Sequence, residues 1–261
     1  MKKLALAAIA LTVLTANAWA GVVVEMTVTD LTNNQSRPAK IYAQDGLLRM
    51  DTEEPGEGSI TVLFLGDSTA FILHEEQSYI EMDEETVARL SSQIDQAMKQ
   101  MEEQLKNMPP AQREMMEKMM KDRMPNMMGE AMEPPVIEKG GTSQTAGYSC
   151  TMYEIYRKDE KVRELCAASR SELQAGEELV ESFQAMAKFM QKMMEAMPQM
   201  SEMMEGTFAE FASIDGFPVM SRQFDDGQAV EETLLDSIQP MSLGPNIFKI
   251  PSGYKKQSVG N

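Results

Sequence analysis

One histidine and two cysteines are all that this 261-residue chain offers from the two side chains most used in catalysis. Any triad or histidine-built metal site would have to include His74, and the spacing of Cys150 and Cys166 is not the Cys-x-x-Cys of a thiol redox centre. Also missing are a nucleophile elbow, a phosphate-cradling glycine loop and a metalloprotease helix motif. The sequence therefore reads as that of a non-enzyme, with no catalytic residues. His74 follows Phe71-Ile72-Leu73 at the margin of a strand and is expected to be a satisfied surface histidine.

Positive charge is scarce as well. Lys and Arg number 24 against 41 Asp and Glu, a formal charge of −17. A surface of this sign repels nucleic acid and anionic membranes, and its simplest use is solubility. No apolar run reaches the roughly 20 residues of a membrane helix, so stable membrane insertion is not expected.

What is present begins with Lys2 and Lys3, the apolar stretch Leu4 to Leu14, and Ala18-Trp19-Ala20. That order predicts a cleavable signal peptide over residues 1–20 and a periplasmic protein starting at Gly21. Loss of Lys2 and Lys3 would take the basic count to 22 and the charge to −19. In an oxidising compartment Cys150 and Cys166 are expected to form a disulfide.

From Gly21 to Glu84 short β-rich runs alternate with turn residues. Val22 to Thr29, Ala39 to Ala43, Leu47 to Thr52, Ser59 to Leu65, Ala70 to His74 and Ser78 to Met82 are the strand candidates. Asp45-Gly46 and Gly66-Asp67 supply residues that tolerate the positive φ of tight hairpins. The pattern changes at Asp83: Glu84 to Asn107 is an amphipathic helix, and Ala111 to about Arg123 a second helical run after Pro109-Pro110. Val136 to Gln144, Gly147 to Tyr156 and Val162 to Ala167 follow as strands, which puts the two cysteines on the arms of one hairpin. Ser171 is read as the cap of a long helix from about Glu172 to Met204, with Gly176 and Pro198 as the sites where it could break or kink. Phe217 to Phe224, Ala229 to Ile238 and Ile247 to Lys249 complete the strands. Residues 21–261 thus form one α+β domain, an antiparallel sheet with helices segregated to one face. A Met-rich helical insertion occupies about 84–132 and a second Met-rich helix about 172–204.

Methionine is the anomaly. Of 26, eleven lie between Met98 and Met132 and eight between Met186 and Met204. Met186, Met190, Met193, Met197, Met200 and Met204 recur at alternating steps of four and three, a seam along one helix face. Methionine simply replacing leucine in a helical core is one account. Unbranched thioether chains also repack around varied apolar surfaces, which suits binding of acyl chains. Thioethers bind Cu(I) or Ag(I), with Met115, Met116, Met119, Met120, Met124, Met127 and Met128 as candidate ligands. Exposed methionines can finally serve as sacrificial targets for oxidants.

Gly147-Tyr148-Ser149-Cys150-Thr151-Met152-Tyr153-Glu154-Ile155-Tyr156, the arm Val162-Arg163-Glu164-Leu165-Cys166, Gly216-Phe217-Pro218-Val219 and the closing Phe248-Lys249-Ile250-Pro251-Ser252-Gly253-Tyr254 resemble a family of secreted bacterial proteins carrying a domain of unknown function. Its layout is similar to the half-barrel of the periplasmic lipoprotein carriers of the LolA and LolB type. The resemblance implies a curved antiparallel sheet with the Met-rich helices on its concave face, an apolar cavity between, and no catalytic residues or cofactor. The function expected on this basis is binding of a hydrophobic ligand, a lipid or lipidated peptide, by Met186, Met190, Met193, Met197 and Met200. The alternatives are the Met-thioether copper or silver protein, in which copper is the only cofactor, and an envelope structural or stress protein that docks a protein partner.

Overall fold

The computed structural model describes residues 21–54, 56, 58–109, 112, 135–196 and 214–258. Their twelve strands join into a single open sheet, a half-barrel with helices against its concave side. The first meander is β1 (Val22–Asp30), β2 (Gln35–Gln44), β3 (Leu47–Glu54), β4 (Gly58–Phe64), β5 (Ser68–Leu73) and β6 (Ser78–Asp83). The second is β7 (Val136–Thr145), β8 (Tyr148–Arg157), β9 (Glu160–Ala168), β10 (Phe217–Asp225) and β11 (Gln228–Pro240). The two meet where β1 pairs antiparallel with β11, so the first strand lies inside the sheet rather than at its edge. The last strand, β12 (Lys255–Gln257), adds to β6 at one margin in parallel, an exception to the antiparallel order.

Turn chemistry explains how the hairpins close. Asp45 and Gly46, Ala146 and Gly147, Lys158 and Asp159, and Asp226 and Gly227 all have positive φ, which gives each two-residue turn the twist of its flanking strands. The Cys150–Cys166 disulfide forms, linking β8 to β9 inside the core as expected.

Helix α1 (Glu84–Asn107) has the predicted bounds. Asp83 caps it, its Oδ1 accepting from the Thr86 backbone N–H at 2.7 Å. Glu84 and Glu85 lie in the first turn and Lys106 in the last, each matched to the end of the helix dipole that favours it. The other described helix, α2, runs Gly176–Ala196. Its start corrects the expectation that Ser171 is the cap. Residues 169–176 instead make successive three-residue turns, with Glu172 N bonded to Ser169 O, Leu173 N to Arg170 O and Gly176 N to Leu173 O. Ala175 takes a φ of 54°, which interrupts any helix begun at 172. Gly176 is required there because a Cβ would meet the Arg170 carbonyl at 2.5 Å. The second helical run expected at 111–123 falls almost wholly outside the described residues.

The expected strand at Ile247 to Lys249 is also corrected. This stretch is a turn, with Ile247 N bonded to Gly244 O, and its apolar side chains are used for packing. Leu243, Ile247, Phe248, Ile250 and Tyr254 lie against Leu63, Ala70, Ile72, Tyr42 and Tyr79. Along β4 the side chains alternate, so Leu63 joins this cluster while Phe64 faces α2. Residues 241–254 therefore form a strap over the face opposite the helices, and the first meander is covered on both sides.

Candidate functional site

The registers of β1–β6 align the concave side chains into rows that run across the strands. One row reads Val22, Ala43, Leu48, Phe64, Thr69, Met82. The next reads Val24, Ile41, Met50, Val62, Phe71, Ile80. Helix α2 lies over β2 and β3, and its Leu179, Phe183, Ala185, Met186 and Phe189 share one cluster with the buried start of both rows. The Phe189 ring lies 5.6 Å from that of Phe64.

Cover runs out along the second row. Val24 is fully buried, Ile41 is nearly so, Met50 and Val62 are partly exposed, and Phe71 is 39% exposed. Apolar surface of this kind, beside a helix rich in methionine, is the candidate site. Among the expected ligand contacts, Met186 packs against the central core, while Met190 and Met193 pack with Val87, Leu90, Met82 and Phe189, where α1 crosses α2. Met193 is 7% exposed, so in this arrangement it is core. Three of the five expected residues thus sit on the helix that borders the exposed row. Met197 and Met200 lie outside the described residues. So do all seven methionines considered for copper, Met115, Met116, Met119, Met120, Met124, Met127 and Met128. Among the described residues no group of three or more His, Cys, Asp or Glu is placed to hold a metal ion, and no helix is long and apolar enough to cross a membrane.

Sequence reasoning missed Phe71, Val62, Met50 and Ile80. A signal was available: Ile60 to Leu65 and Ala70 to Leu73 are apolar at nearly every position rather than alternating, the pattern of strands with two apolar faces.

His74 is satisfied, as expected, but within a larger network. Arg49 Nε donates to Asp51 Oδ1 at 2.9 Å, and the Thr61 hydroxyl donates to the same oxygen at 2.6 Å. With its proton so committed, Thr61 accepts from His74 Nε2–H at 2.9 Å. His74 Nδ1 shares a hydrogen bond with the Tyr254 hydroxyl, also at 2.9 Å. Arg49 Nη1 donates to the Ile247 carbonyl at 3.1 Å. The network ties the strap to the sheet at its middle, through Ile247, and at its end, through Tyr254, and both nitrogens of the imidazole are engaged in it. A polar cleft of about 290 Å³ lies nearby, lined by Glu81, Asp83, Glu85, Thr86, Arg89 and Lys256. Within it Lys256 reaches Glu81 at 2.7 Å and Asp83 at 3.8 Å.

Three solved structures illustrate what the chain is similar to. An uncharacterized conserved protein from Thermus thermophilus aligns with a TM-score of 0.46 and 8% identity over 92% of this chain and 91% of that one. The MucA/MucB complex of Pseudomonas aeruginosa aligns with a TM-score of 0.37 and 9% identity over 88% of this chain and 55% of that one, so the chain spans about half of that structure's length. A putative outer membrane lipoprotein-sorting protein domain from Vibrio parahaemolyticus aligns with a TM-score of 0.29 and 7% identity, over 89% and 91%. No curated protein matches the sequence. Residues 45–254 match the family described as a domain of unknown function, DUF4412, and the chain belongs to that family.

Proposed function

We propose that this protein is a non-enzymatic binding protein of the bacterial envelope, which takes the apolar part of a lipid or lipidated peptide on the concave face between β3–β6 and α2. The observation that carries the reading is the cross-strand row Met50, Val62, Phe71, Ile80, apolar throughout yet left partly open with Phe71 39% exposed. A soluble chain ordinarily does not leave such a row uncovered without a use for it. Methionines on the neighbouring helix suit a ligand of variable chain length, because their side chains repack at little cost. Assignment as a non-enzyme is supported by His74, whose two ring nitrogens are both engaged in holding the strap. The disulfide suits an oxidising compartment.

Native mass spectrometry of the protein isolated gently from its host tests the reading. A heterogeneous mass excess in the lipid range is expected, and Phe71→Ser should remove it while the protein stays folded. Joint replacement of Met186, Met190 and Met193 by Leu then asks about methionine itself. The expected outcome is retained binding with a narrower range of chain lengths, and an unchanged range would leave these residues a packing role only. A bare chain in the first measurement would sink the ligand reading.

A further inference from the structure

Thr69 stands in the middle of the first concave row, with Phe64 and Met82 as its cross-strand neighbours. It is 4% exposed, and its hydroxyl has no hydrogen-bond partner. Valine has the same shape and the same preference for strands, and it would avoid an unsatisfied buried hydroxyl. Packing therefore gives no reason for threonine here. Ser182 on α2 has a buried unpaired hydroxyl too, but a helical serine has the carbonyl four residues back within a rotation of its side chain, so it points to nothing. Thr69 is different because Phe71, the most exposed member of the open row, is two residues away on the same face of β5, about 6.7 Å along the strand.

We infer that the ligand of this face carries an acyl carbonyl, and that the Thr69 hydroxyl donates a hydrogen bond to it. The inference rests on the hydrophobic-ligand reading above and narrows it to acyl compounds. The chain lies across Ile80, Phe71, Val62 and Met50, while the carbonyl turns inward between Phe64 and Met82. The flexible thioether of Met82 gives way to admit it. Threonine supplies a donor without charge, which suits the uncharged oxygen of an ester or amide.

The test uses the whole protein and two lysophosphatidylcholines of equal chain length, one an acyl ester and the other its 1-O-alkyl ether, which lacks only the carbonyl. Both compete with a fluorescent fatty-acid probe below their micelle concentrations. The wild-type protein is expected to prefer the ester by about threefold to tenfold, the range of one net hydrogen bond. Thr69→Val should bring the two affinities together, and Thr69→Ser should keep the preference. Equal wild-type affinity for ester and ether would overturn the inference and leave the binding reading intact, and this comparison needs no variant to fold. A preference that survives Thr69→Val would overturn it as well. Failure of the wild-type protein to bind either compound would remove the hydrophobic-ligand reading, and the inference with it.

Discussion

The two wings of the sheet meet at β1 and β11 but are held together by different means. In the first wing, β1–β6, apolar residues occupy both faces, and the chain supplies two covers, α2 with α1 on one side and the strap on the other. In the second, β7–β11, the strands carry cross-strand charges and a covalent link. Lys161 bonds Glu154 at 2.9 Å and Glu164 at 2.8 Å and lies 4.5 Å from the Phe224 ring, while Arg222 reaches Glu164 and Glu232. The disulfide joins diagonal neighbours of the β8–β9 hairpin. Both wings share the central core, to which the first adds an apolar face under the strap and the second a staple and a cluster of ion pairs. The surface proposed for binding lies where the burial of the first is incomplete.

This contrast can be broken most strongly at Phe64, which is wholly buried beneath Phe189. Phe64→Ala is expected to cost about 3–5 kcal/mol, measured by urea unfolding, because the cavity would lie between two constrained layers. In the second wing the matching change is Cys150→Ala with Cys166→Ala. The bridge spans a sequence separation of 16, so its loss is expected to cost about 3 kcal/mol. Hydrogen exchange should then rise in β8 and β9 while β3 and β4 stay protected, and equal loosening of both wings would refute the division. Removing the α1 cap, Asp83→Ala, should cost about 1 kcal/mol. The Thr86 backbone N–H holds the Asp83 carboxyl below its ordinary value, so its stabilisation is complete above that value and disappears as pH falls beneath it. An Asp83→Asn variant, which keeps an acceptor, should show a flatter acid limb in a pH series of melting temperatures. The smallest effect belongs to the ion pairs. A double-mutant cycle on Lys161 and Glu164 should give at most about 1 kcal/mol, reduced by added salt. A larger coupling would mean that the second wing depends on its charges more than on its bridge.

The elements set by local chemistry could be read from the sequence. Asp226-Gly227 and Asp45-Gly46 announce their turns, α1 starts where Asp83 meets Glu84 and Glu85, and the two cysteines fall on one hairpin. What escaped was decided between distant segments. Ile247 to Lys249 is as β-prone as any strand, but between Pro245 and Pro251 it serves the first wing as packing instead. Gly176 was a legible break point in the long helix, but that the helix begins there was not, because the close approach of Arg170 to Gly176 is set by the fold of 169–176, which outweighs the capping preference of Ser171. The candidate site was half legible: the methionine seam marks the helix, but the exposed end of the row at Phe71 depends on where that helix stops covering the sheet.

The central position of β1 also bears on the order of folding. Its outer neighbour, β11, comes from the far end of the chain; the Ser237 hydroxyl donates to Glu25 across 212 residues. A chain emerging from its N-terminus can form the β2–β6 hairpins one after another, but β1 keeps one unpaired edge until Gln228–Pro240 has appeared. Loop closure over that distance comes late and makes assembly slow, so the nascent protein is held short of its native state until almost all of it is available.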